Sequence, residues 1–236
     1  VRAVAPKKTD NIIEIGPGLG ALTQQLLPQL SCLSVIELDK DLIPLLEEKC
    51  RHLGKLIVYQ GDALKFNFKS LSKANGLWRL VGNLPYNIST PLLFHCLDQA
   101  SAIQDMHFML QKEVVDRLNA QPGQASYGRL SVMIQYYCGV EKLFNVKPGA
   151  FQPPPKVDSA VVRLIPYKEL PYKANDPLLF AEIVRIAFSQ RRKMLRNNLA
   201  NLLQAEDFEQ LNIDPRQRPE QLFVSDYVNL ANFLTK

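Results

Sequence analysis

Short apolar runs alternate with segments of helical periodicity in the first half of the chain. Five runs have the length and the Ile, Val and Leu content of buried strands: residues 11–16, 32–38, 55–60, 77–83 and 106–111. Apolar positions at helical spacing fill the intervals 19–30, 39–50 and 89–100, as with Leu22, Leu26 and Leu30 in the first. This alternation predicts βαβ units and a parallel sheet covered on both faces, so the fold class is α/β, doubly wound.

The pattern changes beyond residue 140. Residues 141–146 and 159–166 are strand-like and are separated by a proline-rich loop at 147–158, so we predict a strand pair that closes the sheet. Residues 167–177 have the composition of a linker, and helical patterns follow at 177–188, 191–203 and 225–234, with a turn at 212–222 that enters another short helix. We therefore predict two domains: an α/β domain at 1–168 and a small α-helical C-terminal domain at 169–236.

Composition narrows the class of protein. With 47% hydrophobic and 22% charged residues among 236, the chain has the composition of a soluble globular protein, and no apolar run approaches the roughly 18 residues of a membrane span. Four cysteines without a close pair argue against a disulfide framework and fit a cytoplasmic location. Three scattered histidines, His52, His95 and His107, lack ligand spacing, so we expect no metal site.

A net charge of +5 is compatible with an anionic partner, and one segment concentrates positive charge. The segment "SQRRKMLRNN" contains Arg191, Arg192, Lys193 and Arg196. On a helix, side chains at 192 and 196 would share a face, which favours contact with phosphates. A solvated helix face is the alternative interpretation.

A glycine-rich segment follows the first predicted strand. "EIGPGLGAL" places Gly16, Gly18 and Gly20 before the first helix, where glycine lets the backbone approach a ligand and free N–H groups face it. Gly16-x-Gly18-x-x-Ala21 also satisfies the dinucleotide pattern, with Glu37 about 20 residues on. An acidic residue there suits a ribose diol in either class of cofactor, so the glycine segment alone leaves the cofactor open.

Asp62 and Asn83 extend this set after the third and fourth strands. Gly16, Glu37, Asp62 and Asn83 are 21, 25 and 21 residues apart, about one strand-plus-helix unit each. All four should therefore emerge at the carboxyl ends of successive strands, where open α/β sheets bind ligands. Three of them also have an ordinary structural alternative: Asp62 as a helix cap, Glu37 as a solvated carboxylate, and Asn83, within "NLPY" at 83–86, as part of a connecting loop.

These residues resemble those of S-adenosylmethionine-dependent methyltransferases that act on exocyclic amines. In this resemblance "NLPY" is a form of their Asn/Asp-Pro-Pro-Tyr motif, with Leu84 where many of these enzymes have proline. Within that class, "NLPYNISTPLL", "MLQKEVVDRL", "YGRLSV" and "FQPPPKVDSAVVRL" resemble the bacterial 16S (small-subunit) ribosomal RNA adenine N6,N6-dimethyltransferases. The likeness runs from about residue 10 through 165 and continues in "AFSQRRKMLRNNL". The resemblance implies a Rossmann-like catalytic domain at 1–168 and an RNA-contacting C-terminal domain at 169–236.

The resemblance also implies roles for individual residues. The catalytic set is Asn83, Leu84, Pro85, Tyr86 and Phe151. The cofactor-binding set is Glu14, Gly16, Gly18, Gly20, Glu37, Asp62, Ala63 and Asn83, with the glycine loop on the methionine side, Glu37 at the ribose and Asp62 at the adenine amine. The RNA-binding set is Arg191, Arg192, Lys193 and Arg196.

The implied cofactor is S-adenosyl-L-methionine, with S-adenosyl-L-homocysteine as product, and the implied substrate is 16S rRNA within the small ribosomal subunit. We expect a monomer. The family has a Gly-Gln-Asn-Phe-Leu segment before the first strand, which is absent from the residues that start at Val1, so we expect part of the cofactor cover to be missing from this stretch. Two alternatives remain: a 23S rRNA adenine N6-methyltransferase of the macrolide-resistance type, and a non-catalytic nucleic-acid-binding protein on the same scaffold.

Overall fold

The computed structural model describes residues 1–71, 76–152 and 154–235. The strands within them are β1 (Ile12–Ile15), β2 (Leu33–Glu37), β3 (Leu56–Gln60), β4 (Trp78–Asn83), β5 (Ile103–Gln111), β6 (Cys138–Val146) and β7 (Ser159–Pro166). They form a seven-stranded sheet in the order β3-β2-β1-β4-β5-β7-β6. β1 to β5 pair in parallel, and β7 pairs antiparallel to β5. The predicted α/β class, the strand positions and the closing strand pair are confirmed.

The helices occupy the predicted intervals and several more. They are α1 (Thr23–Leu26), α2 (Ile43–Cys50), α3 (Phe68–Leu71), α4 (Ser89–Leu97), α5 (Lys112–Asn119), α6 (Arg129–Tyr137), α7 (Pro177–Ala187), α8 (Leu195–Asn198), α9 (Ala205–Gln210) and α10 (Val224–Leu234). None of the helices in the described part of the chain is long and apolar enough to cross a membrane. The helix α6 was not predicted, and its buried residues include Ser131, Val132, Met133, Ile134 and Tyr136.

One helix prediction is wrong and bears on function. Residues 191–203 do not form one helix: residues 191–193 are in a turn, and α8 begins only at Leu195. Met194 is extended (φ −62°, ψ 147°), and the N–H groups of Leu195 and Arg196 donate to the carbonyls of Gln217 and Pro215 at 2.7 and 3.1 Å. Those two bonds satisfy donors at the start of α8, so the helix does not extend backwards to include residues 191–193.

The strand register brings the predicted residues to one edge of the sheet. Glu14 of β1 pairs with Val35 of β2 and Val81 of β4, and Asn83 of β4 pairs with Met109 of β5. A Cβ at Gly82 would lie 2.7 Å from the Ile15 carbonyl oxygen, so β4 can approach β1 this closely only with glycine at that position. The carboxyl ends of β1, β2 and β4 therefore open at one edge, as the spacing predicted.

The described residues group into two compact units. The first comprises residues 1–115 and 141–166, and its core includes Ile12, Leu26, Val35 and Leu46. The second comprises residues 116–140 and 167–236, of which residue 236 lies outside the described part. The sequence prediction did not assign 116–140 to the C-terminal unit. A functional boundary after residue 168 remains a prediction.

The second unit is mainly helical. Asp176 caps α7 by accepting from the N–H groups of Leu178 and Leu179 at 2.8 and 3.2 Å. The ring of Tyr136 on α6 lies 4.3 Å, centroid to centroid, from that of Phe180 on α7. Buried aromatic contacts of this kind join the helices of the unit.

Candidate active site

The glycine loop follows β1 and has the backbone conformation that glycine permits. Gly16, Gly18 and Gly20 have φ of +68°, +54° and +83°. A Cβ at Gly16 or Gly18 would meet nothing within 4 Å, so the loop leaves open space there, whereas a Cβ at Gly20 would lie 2.7 Å from Leu46 Cδ1. Gly16 and Gly18 thus leave room for a ligand close to the backbone, and Gly20 lets the loop pack against α2.

Two buried carboxyl groups flank this loop. The Glu37 carboxylate accepts from the N–H of Gly18 at 3.1 Å and from that of Asp39 at 2.9 Å. Glu14, only 2% exposed, accepts from Thr23 Oγ1 at 2.7 Å. Burial raises the pKa of Glu14 to about 7, the Thr23 bond opposes that rise, and the negative charge of Glu37 adds to it. A cationic ligand group bound beside Glu14 would favour the ionised form of its carboxyl group and would pair with it.

Asp62 lies beyond the end of β3 and makes the capping contact that was its structural alternative. Its Oδ1 accepts from the N–H of Leu64 at 2.9 Å and so begins the short 3₁₀ turn at Ala63–Lys65. Ala63 is buried. This capping contact fixes the orientation of the Asp62 side chain at the end of β3.

Residues 84–86 follow β4, and hydrogen bonds fix their backbone at Leu84 and at Pro85. The N–H of Leu84, a residue only 1% exposed, donates to the Met109 carbonyl at 3.1 Å. The Pro85 carbonyl accepts from the N–H of Ile88 at 3.2 Å and from Ser89 Oγ at 3.0 Å. Tyr86 keeps 38% of its surface exposed while its hydroxyl lies 3.1 Å from Ser159 Oγ. The backbone at Leu84 and Pro85 is thereby fixed between two exposed side chains, the Asn83 amide and the Tyr86 ring.

A cavity of about 570 Å³ lies at this edge of the first unit. Five of the predicted residues line it: Glu14, Gly16, Gly18, Asn83 and Phe151. Gly20, Glu37, Asp62, Ala63, Leu84, Pro85 and Tyr86 are not among its lining residues. Phe151 comes from the proline-rich loop, of which Pro153 lies outside the described residues. The structure therefore brings the glycine loop, a buried acid and the strand-end amide to one cavity of a size usual for small-ligand sites.

Sequence reasoning missed part of this cavity wall. His107 of β5 lines it, is 4% exposed, and has no hydrogen-bond partner on either ring nitrogen among the described residues. Its Nδ1 lies 3.4 Å from Asp105 Oδ1, a contact that does not meet hydrogen-bond geometry. The signal was available, because alternation along β5 puts His107 and Met109 on one face, and Met109 pairs with Asn83.

The first residues of the chain form another wall that was not predicted. Val1, Ala3 and Val4 line the cavity. Arg79 of β4 holds this segment: its Nη2 donates to the Val4 carbonyl at 2.7 Å, and its Nη1 lies 2.6 Å from Asp10 Oδ2. Its Nε also donates to Asp105 at 3.0 and 3.1 Å. One buried guanidinium therefore ties the segment at Val4 to β5.

The predicted RNA-binding residues lie in the second unit and differ in their contacts. Arg191 donates from Nη2 to the Ala125 carbonyl at 2.6 Å and has its Nε 3.8 Å from Glu220. Arg192 and Lys193 are exposed in the turn, and Arg196 is exposed on α8. Arg192 and Arg196 therefore do not share a helix face, because only Arg196 lies on α8. The guanidinium of Arg191 is engaged in a hydrogen bond within the unit.

Within the described ranges, no group of three or more His, Cys, Asp or Glu side chains is placed to hold a metal ion.

Comparison with known proteins identifies the class of protein to which this fold belongs. The fold is similar to the crystal structure of a dimethyladenosine transferase from Plasmodium falciparum, with a TM-score of 0.81 and 28% identity over 97% of this chain and 91% of that one. It is also similar to that of the 23S rRNA methyltransferase ErmE, with a TM-score of 0.76 at 21% identity over 100% of this chain and 95% of that one, which shows the fold alone. The fold is that of a Rossmann-like methyltransferase.

The sequence comparisons are more specific. The family described as ribosomal RNA adenine dimethylase matches residues 1–236, and the chain belongs to that family. A Ribosomal RNA small subunit methyltransferase A from Marinomonas sp. (strain MWYL1) is 56% identical over 100% of this chain and 89% of its own length. Its namesake from Pseudomonas aeruginosa is 57% identical over 100% of this chain and 88% of its own.

Proposed function

We propose that this protein transfers methyl groups from S-adenosyl-L-methionine to N6 of two adjacent adenosines in the 3′-terminal hairpin loop of 16S rRNA, in biogenesis of the small ribosomal subunit. The observation that carries the proposal is the meeting of Asn83 with Glu14, Gly16 and Gly18 in one cavity. The family and the names of the relatives support the RNA substrate and the small subunit. We further propose a cytoplasmic, monomeric enzyme.

The cavity fits the proposed cofactor, which supplies an electrophilic methyl group when bound. The open space at the Gly16 and Gly18 Cβ positions admits a ligand close to the backbone. Glu14 offers a buried acid to a cationic ligand, and Glu37 holds the N–H of Gly18 in place. We assign the cofactor to Glu14, Gly16, Gly18, Gly20, Glu37, Asp62, Ala63 and Asn83.

The task of the remaining residues is to orient a weak nucleophile, because the lone pair of an adenine N6 amine is delocalised into the ring. We assign the Asn83 side-chain oxygen and the Leu84 carbonyl as acceptors of the two amine hydrogens, which favours a more tetrahedral nitrogen as attack proceeds. The Leu84 N–H bond to Met109 and the bonds to the Pro85 carbonyl hold the backbone there. Preorganised acceptors of this kind need no rearrangement during the reaction.

An adenine in a folded RNA must leave its stack to reach this site. We assign Tyr86 and Phe151 to opposite faces of the extruded base. Tyr86 has an exposed ring and a hydroxyl held near Ser159 Oγ, and Phe151 lines the cavity. Stacking on an aromatic ring stabilises a bound base by roughly 1–3 kcal/mol.

The phosphate contacts of the RNA are assigned to the turn and the helix that follows it, through Arg191, Arg192, Lys193 and Arg196. Three of them, Arg192, Lys193 and Arg196, are exposed cations available to phosphate. Arg191 contributes charge while its guanidinium bonds the Ala125 carbonyl.

Radiolabelled methyl transfer to small and large ribosomal subunits from cells lacking these methylations tests the proposal. We expect label in the small-subunit RNA alone. The Asn83→Ala variant should lose about 10²–10³ in turnover, the range for removing one preorganised polar partner, while its cofactor affinity changes far less. Label in the large subunit would favour the 23S alternative, and RNA binding without any transfer would favour the non-catalytic one.

A further inference from the structure

The second unit contains a cavity of its own, about 480 Å³ in volume, which the methyl-transfer site does not use. Aromatic and amide side chains line it, including Asn119, Gln121, Tyr127, Tyr167, Tyr172 and Phe223. Among the described residues, none that lines this cavity carries a formal charge. An uncharged pocket of this composition is unsuited to phosphate or a metal ion and suits a planar polar ring.

Three of its aromatic side chains are more exposed than is usual for their type. Tyr167 is 39% exposed, Tyr172 50% and Phe223 61%. Single exposed apolar residues are common on protein surfaces, but three aromatic rings around one cavity form a patch, and such patches mark binding sites.

The segment that carries two of these rings is tied down, although its composition resembles a linker. The N–H of Tyr167 donates to the Tyr137 carbonyl at 2.9 Å, and that of Ala174 donates to the Tyr136 hydroxyl at 3.1 Å. Asn232 of α10 donates to the Lys173 carbonyl at 3.0 Å and accepts from the N–H of Asn175 at 2.7 Å. Tyr167 and Tyr172 therefore project from an anchored backbone, so little ordering entropy opposes binding.

The polar groups of the wall suit recognition rather than catalysis. Gln135 donates from Nε2 to the Leu118 and Ala120 carbonyls, at 2.8 Å each, and so holds the turn that bears Asn119 and Gln121. The Tyr127 hydroxyl is buried and has no hydrogen-bond partner in the described part of the chain. Burial raises the pKa of the Cys138 thiol to about 12, so this thiol stays neutral and is no nucleophile.

We propose that this cavity binds an unpaired nucleobase of the RNA substrate, separate from the adenine that is methylated. The inference rests on the proposed RNA substrate. Exposed tyrosine and phenylalanine rings stack on bases of any sequence, and amide side chains hydrogen-bond to base edges. The protein then grips its RNA through a stacked base in addition to the phosphate contacts of residues 191–193 and 196.

Paired substitutions test the site. Tyr172→Ala combined with Phe223→Ala removes the two most exposed rings, while Tyr172→Phe keeps the ring, and Leu178→Ala removes an 83%-exposed side chain of the same unit that does not line the cavity. We expect the double variant to bind substrate RNA about tenfold more weakly for each stacking ring removed, or ~1.4 kcal/mol each. The KM for RNA should rise by the same factor, while kcat at saturating RNA and the Kd for S-adenosylmethionine stay unchanged. Tyr172→Phe and Leu178→Ala should behave as the unmodified protein.

Ultraviolet crosslinking to the RNA gives a second readout, because the peptide 169–173 produced by trypsin contains Tyr172 alone among aromatic residues. A nucleotide adduct on that peptide supports the site. RNA affinity in the double variant equal to that of the unmodified protein, with normal methyl transfer, would overturn this inference and leave the proposed function intact. Failure of the unmodified protein to bind or methylate rRNA would overturn both.

Discussion

Glu37 at the end of β2 accepts a hydrogen bond from the N–H of Gly18 at 3.1 Å, which joins the glycine loop to the next strand. The same carboxylate accepts from the N–H of Asp39 at 2.9 Å. One acidic side chain thus sets the loop conformation at the position where a ribose is expected.

Replacing Glu37 with Ala should therefore weaken cofactor binding in two ways, by loosening the loop and by removing an acceptor. We expect a ten- to hundredfold rise in the Kd for S-adenosylmethionine, since a hydrogen bond to a charged group contributes about 1.5–3 kcal/mol. Calorimetric titration of the protein with S-adenosylmethionine measures this Kd. Glu47→Ala removes an exposed carboxylate of α2 and should change nothing; equal losses in the two variants would mean that net charge, not this contact, controls affinity.

The buried acid Glu14 makes stability depend on pH. Its folded-state pKa of about 7 is above the unfolded value of 4.5, so the folded state binds the proton more tightly. Stability from this group is full below about pH 4.5 and is lost as the pH rises through 7, for a total of about 3 kcal/mol. Glu14→Gln should flatten this dependence and be more stable than the unmodified protein at pH 8. Urea unfolding at pH 5 and pH 8 measures the difference, and parallel curves for the two proteins would contradict it.

The strand positions and the location of the site at the strand ends could be predicted from the sequence, because both depend on the pattern of apolar residues and on spacing along the chain. Apolar runs gave β1 to β7, and spacing placed Gly16, Glu37 and Asn83 at one edge. The turn at 191–193 did not follow, because the bonds from Leu195 and Arg196 to the 215–217 segment join residues about 20 apart in sequence. The cavity wall formed by Val4 was equally hidden, since it depends on the contact between Val4 and Arg79, residues 75 apart in sequence. The wall formed by His107 was within reach of the alternation along β5 and was overlooked.

The two parts of the Tyr86 side chain should contribute differently. Tyr86→Ala removes the ring proposed to stack on the target base, and we expect a loss of roughly 1–3 kcal/mol in kcat/KM. Tyr86→Phe removes only the hydroxyl that lies near Ser159 Oγ and should retain most of the activity. Steady-state kinetics at varied RNA concentration measures kcat/KM for the two variants. If Phe and Ala were equally damaging, the hydroxyl rather than the ring would carry the role of Tyr86.

If residues 191–193 contact phosphates, the affinity for RNA should depend on salt concentration through them. Replacing Arg192 and Lys193 together with Ala should flatten the plot of log K against log salt by roughly 0.9 for each duplex phosphate that the protein no longer neutralises. Arg191→Ala is the comparison: its guanidinium also bonds the Ala125 carbonyl, so we expect lower stability along with a smaller change in slope. An unchanged slope in the double variant would mean that the turn is only a solvated surface.

The most direct measurement of the central claim is a map of modified adenines on small-subunit RNA. Unmethylated small subunits are incubated with the protein and S-adenosylmethionine, and the RNA is examined by primer extension and by mass spectrometry of its nuclease fragments. The account predicts N6,N6-dimethyladenosine at two adjacent positions in the 3′-terminal hairpin loop, and about 10²–10³-fold slower formation of it by the Asn83→Ala variant. Methylation at a single site, at an atom other than N6, or at any other place in the RNA would contradict it.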